Sequence, residues 1–343
     1  MPFNQHIIDN PKSERVRRVA ELEKNKARKK AGKFLIEGPQ SVREVVRWMP
    51  EVVTDCYVQL DEHQSDLLSP VVEDIAREAD GQGLYIHQVT GDVMHRMSTD
   101  AQGIVAVGDL EIAQDRMARE FEHGAADNTD DTKVVHNVAT RGTDVFNDAG
   151  PSGDAAHEFM QSAGSPSDSD ALNDTVAAFW QIRDPGNAGT VIRSADAAGC
   201  RAVIFVDDCV DRFNPKVIRS TAGSLFHLPV VTMSTEEFFA WAQTQEREVM
   251  AADVYGTEKI KPESLIDVVE NPRTLEDDGG RENASRVILF GNEARGLPAD
   301  ILERVQRIVS IPLYGKAESL NLATSTSVML FTLAMARDAA SRR

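Results

Sequence analysis

Residues 42–49 place Val42, Val45, Val46 and Met49 at i, i+3, i+4 and i+7, the spacing of a helix with one apolar stripe against a core. Ahead of that stripe, residues 12–33 are charged and read as helical. Behind it the apolar runs VVTDCYV, LYIHQV and GIVAVG read as strands, with a short helical piece near residues 92–97. This first block predicts a small α/β unit of about 110 residues.

A second block alternates β-rich runs with helical segments. VAAFWQI precedes a helix over 188–198, AVIFVD one over 215–226, and LPVVT one over 235–246. EVMAAD then precedes 263–269, VILFG precedes 299–305, and RIVSIPL precedes 319–337. Six apolar strands alternating with helices predict a mostly parallel sheet covered on both faces. In such sheets a ligand sits outside the carboxyl ends of the strands, so those ends are where chemistry is expected.

Between the blocks the pattern disappears. The stretch rich in Gly, Ser, Asp and Ala after residue 122 has neither a period of 2 nor one of 3.6, and it reads as a disordered acidic linker. Residues 271–285 (NPRTLEDDGGRENAS) read as a surface-loop insertion. With 343 residues in all, the expected division is an N-terminal domain over 1–112, the linker over 113–175 and a C-terminal domain over 176–343.

Composition narrows the class. Apolar residues at 41% and charged residues at 27% suffice for ordinary cores. The apolar run Val328–Ala336 is far short of the roughly 20 residues that cross a bilayer. No apolar segment followed by a small-residue cleavage site stands at the N-terminus, so a cytoplasmic protein with no membrane association is expected. Cys56, Cys200 and Cys209 show no CxxC spacing and no nearby His pair, which predicts reduced thiols and no metal site.

The net charge of −18 argues against a polyanionic partner until its distribution is considered. Residues 12–33 hold ten Lys/Arg against three Glu, whereas residues 122–174 hold eleven acids against two bases. Half of the negative total therefore sits in the linker. The basic stretch reads either as a solvated helix or as an RNA footprint.

Three strand ends carry candidate chemistry. Arg183-Asp184-Pro185-Gly186-Asn187 turns from a strand into a helix, with Arg193 about two turns further on. Leu289-Phe290-Gly291-Asn292-Glu293-Ala294-Arg295-Gly296-Leu297-Pro298 repeats that plan, and its glycines permit close backbone approach. Ile311-Pro312-Leu313-Tyr314-Gly315-Lys316-Ala317-Glu318-Ser319-Leu320-Asn321 is a polar loop before the last helix. Each has a plain structural reading too: Asn187 or Ser319 as helix caps, Glu293 as an acceptor for turn N–H groups, Arg193 as a solvated side chain. Neither GxGxxG nor GxxxxGK[ST] is present, which counts against a nucleotide-dependent oxidoreductase and against a P-loop enzyme.

In this order and spacing, DPGNAGTVIRSADAAG, LFGNEARGL and IPLYGKAESLNLATS resemble motifs 1, 2 and 3 of the SpoU-type RNA 2′-O-methyltransferases, with FNPKVIRSTAGSLFHLPV matching the segment between them. The resemblance covers essentially all of 176–337. KARKKAGKFLIEGPQSVREVV is similar to the start of that family's N-terminal RNA-binding domain. The family belongs to the SPOUT class, so a C-terminal trefoil knot is implied by the resemblance and by nothing else. Phe179-Trp180-Gln181 departs from the usual aliphatic–acidic lead-in to motif 1, and the linker is long.

The resemblance implies S-adenosylmethionine as cofactor, a ribose 2′-hydroxyl as acceptor, and a homodimer. It assigns Asn187, Arg193, Glu293, Ser319 and Asn321 to catalysis, and Gly291, Ile311, Leu313 and Leu320 to the cofactor. Arg28, Lys29, Lys30, Lys33, Lys216 and Arg219 are the expected RNA contacts. Ribosomal RNA is the expected substrate because members with an added N-terminal domain act there. A transfer RNA methyltransferase and a non-catalytic RNA-binding protein on the same fold stand as alternatives. Antibiotic-resistance methylases share this architecture as well.

Overall fold

The computed structural model describes residues 3–61, 69–126, 174–270 and 285–342. Two sheets organise the chain. The first has five strands in the order β1 (Phe3–Ile8), β4 (Ile86–Val89), β3 (Val53–Gln59), β5 (Ile104–Asp109), β2 (Lys33–Glu37). β1, β4 and β3 run parallel, and β5 is antiparallel to both β3 and β2. The charged stretch forms two helices, α1 (Glu14–Glu21) and α2 (Asn25–Ala31). They are followed by α3 (Pro39–Trp48), α4 (Pro70–Gly81) and α5 (Gly91–Met97). The expected stripe on α3 buries Val42, Val45 and Val46 completely.

The second sheet is parallel throughout. Its order is β10 (Glu263–Ser264), β12 (Arg307–Ser310), β9 (Glu248–Ala252), β11 (Arg286–Phe290), β6 (Thr175–Trp180), β7 (Ala202–Val206), β8 (Val230–Met233). Consecutive residues of one strand bury against opposite layers. Ala177 and Phe179 of β6 join one apolar cluster and Val176 and Ala178 the other, which is why the strands read as unbroken apolar runs. The crossovers include α7 (Pro185–Ala197), α8 (Pro215–Ser220), α9 (Thr235–Thr244), α10 (Leu265–Glu270), α11 (Ala299–Leu302) and α12 (Leu322–Ser341).

Two differences from the sequence reading have physical causes. β10 is two residues long and exists only through its pairing with β12, where Glu263–Ser264 opens a segment expected to be helical from 263. The pattern also extends past residue 112: α6 (Leu110–Ala126) enters the stretch assigned to the linker. Its Ala113, Met117 and Phe121 are buried, and the Phe121 ring lies 5.2 Å from that of Trp241. The remainder of the expected linker, 127–173, and the expected loop over 271–284 lie outside the described residues.

The two halves share one core. The Phe34 ring of β2 lies 4.7 Å from that of Phe213, tilted by 46°, and the cluster holding the α3 stripe continues into Val217 and Ile218 of α8. Ion pairs close the seam. Arg28 bonds Asp211 at 2.5 Å, Arg219 reaches Glu37 and Asp100 at 3.0 and 2.8 Å, and His227 sits between Glu44 at 3.2 Å and Asp196 at 2.8 Å. The hydrogen bond to Asp196, helped by Glu44, raises the His227 imidazole above its ordinary pKa. Among the described residues all three cysteines are free, and burial pushes Cys56 and Cys200 up to about 12.

Candidate active site

The strand-end loops come together at the carboxyl edge of the second sheet. β6 and β11 are neighbours, so their loops adjoin directly, whereas β12 lies beyond β9 and its loop must cross back. It does so because α12 packs on α7, with the Ser194 and Ser327 hydroxyls 2.8 Å apart.

Asn321, not Ser319, caps α12: its Oδ1 accepts from Ala323 N at 2.9 Å and Thr324 N at 3.4 Å. That fixes the amide, leaving Nδ2 to donate to Asn187 Oδ1 at 3.1 Å. Asn187 Nδ2 therefore faces Glu293 Oε1 at 3.4 Å, and the same carboxylate oxygen accepts from Asp184 N at 3.3 Å. Asn187 is likewise not a cap, since Asp184 Oδ1 takes that role by accepting from Asn187 N at 2.7 Å. One residue from each of the three loops is thus tied into a single chain of hydrogen bonds. Asn292 adds a fourth tie, donating to Gln181 O at 2.7 Å, with Gln181 held at φ 52°.

The β11 loop is folded tightly on itself. Asn292 and Gly296 exchange backbone hydrogen bonds, and a Cβ at Gly291 would overlap the Gly296 carbonyl carbon and stand 2.6 Å from Leu297 N, so only glycine fits. Beside it lies a cleft of about 490 Å³, within the range of sites that hold small ligands. Gly291, Ile311, Leu313 and Leu320, the four residues expected around the cofactor, all line it, as do Glu293 and Ser319. Arg193 stands apart on the exposed side of α7, without a hydrogen bond or ion pair among the described residues.

Phe290, Leu297, Leu302 and Met329 give the cleft an apolar wall, while Asp253 supplies a carboxylate and the loops supply backbone polar groups. That mixture fits a donor that is part flat nucleoside and part zwitterionic amino acid. The sequence reading missed the Asp253 loop, which contains none of the three motifs. It follows the EVMAAD strand, however, and the rule that ligands gather at strand carboxyl ends points to it.

The expected RNA contacts divide. Arg28 is 1% exposed and its guanidinium is used up by Leu22 O, Glu23 O and Asp211, so it holds the two halves together and is withdrawn as a phosphate contact. Arg219 is neutralised by Glu37 and Asp100, and Lys33 donates to Thr54 Oγ1 at 3.0 Å. Lys29, Lys30 and Lys216 remain exposed. Lys216 borders a cleft of about 770 Å³ between the halves, together with His95 and Arg96. At its floor burial raises the carboxyl pKa of Glu37, which accepts from Ser98 Oγ at 2.6 Å.

An all-parallel sheet with joined strand-end loops defines the class, and comparison with known proteins gives the family. Residues 174–331 match the SpoU rRNA Methylase family and 13–106 the MRM3-like substrate binding domain. The chain thus carries a SpoU methylase family-model domain with an MRM3-like substrate binding domain ahead of it.

Among relatives, a 23S rRNA (guanosine(2553)-2′-O)-methyltransferase, RlmP, of Bacillus subtilis is 36% identical over 152 residues, 44% of this chain and 54% of that one. A 23S rRNA (uridine(2479)-2′-O)-methyltransferase of Streptomyces viridochromogenes is 32% identical over 154 residues, 45% of this chain and 50% of that one. The matched stretch thus spans about half the length of these relatives. A crystal structure described as an AdoMet-bound rRNA methyltransferase from Sinorhizobium meliloti superposes with a TM-score of 0.63 at 21% identity, covering 99% of both chains. The SpoU methyltransferase AviRb from Streptomyces viridochromogenes superposes at 0.62 and 21% identity, over 96% of this chain and 99% of that one. These two share the fold.

Proposed function

We propose that the protein is an S-adenosylmethionine-dependent methyltransferase acting on a ribose 2′-hydroxyl of ribosomal RNA. The hydrogen-bonded chain Asn321–Asn187–Glu293 carries the reading, because it fixes three distant loops beside a cleft of cofactor size.

A ribose hydroxyl is a weak nucleophile, so much of the barrier reduction must come from positioning. The chemistry S-adenosylmethionine supplies when bound is an electrophilic sulfonium methyl. Gly291, Ile311, Leu313 and Leu320 would hold it, chiefly through loop backbone. Asn187, Asn321 and Glu293 hold the loops, and the Ser319 hydroxyl, without a hydrogen-bond partner among the described residues, orients the acceptor. Arg193 stabilises negative charge developing on the acceptor oxygen; a guanidinium, all of whose nitrogens donate, is a poor proton acceptor. Among the described residues no partner on its own chain restrains it, in keeping with a side chain completed by RNA or by a second subunit. A homodimer is part of this reading, supported by exposed Val328 and Met335 on α12. The trefoil knot and a cytoplasmic location belong to it as well.

RNA would follow the cleft between the halves, over Lys216, Arg96 and His95, with Lys29 and Lys30 contributing from α2. The proposed domain division keeps its two domains, with the first extended to the end of α6. Incubation with labelled donor and either ribosomal or transfer RNA tests the substrate: label in ribosomal RNA supports the proposal, and label in transfer RNA alone overturns it. No described helix is long and apolar enough to cross a membrane.

A further inference from the structure

The loop after β9 carries a carboxylate that none of the three motifs uses. Asp253 Oδ1 accepts from Tyr255 N and Gly256 N, both at 2.8 Å, and this closes the turn. Gly256 is held at φ +67°, where a Cβ would also meet Ile260 O at 2.6 Å, so the turn has one shape. Oδ2 has no hydrogen-bond or ion-pair partner among the described residues. It faces the β11 loop, 3.7 Å from where a Cβ on Gly296 would stand, and Asp253 lines the cleft. A preorganised, acceptor-only oxygen is therefore presented to whatever fills that space.

Its position says which part of the ligand it meets. Ala252 pairs with Phe290 on one side and Val309 on the other, so Asp253 stands at the end of β9. β9 is separated by β11 from β6, the strand leading to Asn187. Two strand spacings, about 10 Å, divide it from the end where Asn187 and Arg193 emerge. A group there stands away from the proposed acceptor side and is placed to meet the nucleoside of the donor rather than the transferred methyl itself. The hydrogen-bond donors that the sugar of that nucleoside offers are two vicinal hydroxyls, which suit a carboxylate oxygen.

Resting on the methyltransferase reading, we infer that Asp253 is a donor-binding residue whose free carboxylate oxygen accepts hydrogen bonds from the ribose hydroxyls of the S-adenosyl group. It acts on affinity for the nucleoside and leaves the methyl end alone.

Titration calorimetry on the full chain tests this with two probes, S-adenosylhomocysteine and its 2′,3′-dideoxy analogue. Asp253→Asn keeps an oxygen for the Tyr255 and Gly256 N–H groups, so the turn survives. Wild type should bind the dideoxy analogue roughly 10- to 100-fold more weakly than the parent. The variant should bind the parent more weakly by a similar factor and show little further loss for the analogue. Undiminished parent affinity in the variant overturns the inference, as does a variant that still discriminates between the probes by the wild-type factor. The second result would mark Asp253 as a turn residue only. A wild-type protein with no affinity for S-adenosylhomocysteine would overturn the methyltransferase reading itself, and this inference with it.

Discussion

Replacing Asn187 by Asp changes one atom at the centre of the site. Asn321 Nδ2 still finds an oxygen at the position of Asn187 Oδ1, 3.1 Å away, but the second oxygen now faces Glu293 Oε1 at the former donor distance of 3.4 Å. Two unit charges at that separation repel by about 1.2 kcal/mol in a water-like medium and about 5 kcal/mol at an effective dielectric of 20. Glu293 is exposed and Asn187 half-buried, so the lower end applies. Adding about 1–1.5 kcal/mol for the missing hydrogen bond to a carboxylate gives about 2–3 kcal/mol against the joined loops. Methyl transfer should therefore slow roughly 30- to 150-fold, while global stability, measured by denaturant, stays nearly unchanged.

Asn187→Ala removes the bond without the repulsion and should slow the enzyme less. Glu293→Gln combined with Asn187→Asp restores a donor and should recover much of the rate, giving a coupling energy above about 1 kcal/mol in the cycle. Equal rates for the Asn187→Asp and Asn187→Ala variants, or strict additivity in the double variant, would refute the idea that this chain of bonds assembles the site.

Other outcomes follow from the same geometry. Arg193→Lys keeps the charge but loses the planar fork and should cut turnover at least tenfold; near-wild-type turnover would remove a bidentate role. Gly189→Ala places a Cβ on top of Ser220 Cβ and 2.7 Å from Val217 O, forcing α7 and α8 apart. It should cost about 1–3 kcal/mol in denaturant unfolding. His227→Gln removes a group whose pKa the fold raises. That stabilisation is complete below the unfolded pKa of about 6.5 and fades as pH rises through the raised folded value, so the variant should lose more stability at pH 6 than at pH 9. Changing Lys29, Lys30 and Lys216 to Ala should lower the salt dependence of RNA binding by about 0.7 for each phosphate no longer neutralised, which filter binding across a salt series measures.

The regular parts of the molecule are legible in the sequence because they bury both faces. The apolar runs from VAAFWQI to RIVSIPL appear as strands of one parallel sheet in the expected places. β1 (FNQHII) and β2 (KFLIE) give no comparable signal for the opposite reason: one is half polar at the chain start and the other abuts the basic helices, so composition masks their period. α6 hides its stripe of Ala113, Met117 and Phe121 among charges.

At the site, residue types and loops can be read from sequence, but partners cannot. Nothing local distinguishes Ser319 from Asn321 as the cap, and the bond from Asn321 to Asn187 spans 134 residues. Arg28 shows the limit most clearly. In sequence it is one of a run of cations, yet packing across the seam buries it against Asp211. Charge density alone cannot separate a phosphate contact from a structural ion pair.

The central claim concerns where the methyl group goes. Ribosomal RNA incubated with the full chain and labelled S-adenosylmethionine, then digested completely and separated by mass, should yield a nucleoside carrying the label on its 2′-oxygen and resist alkaline cleavage at that position. Label on a base, or none above a control lacking protein, would contradict the account.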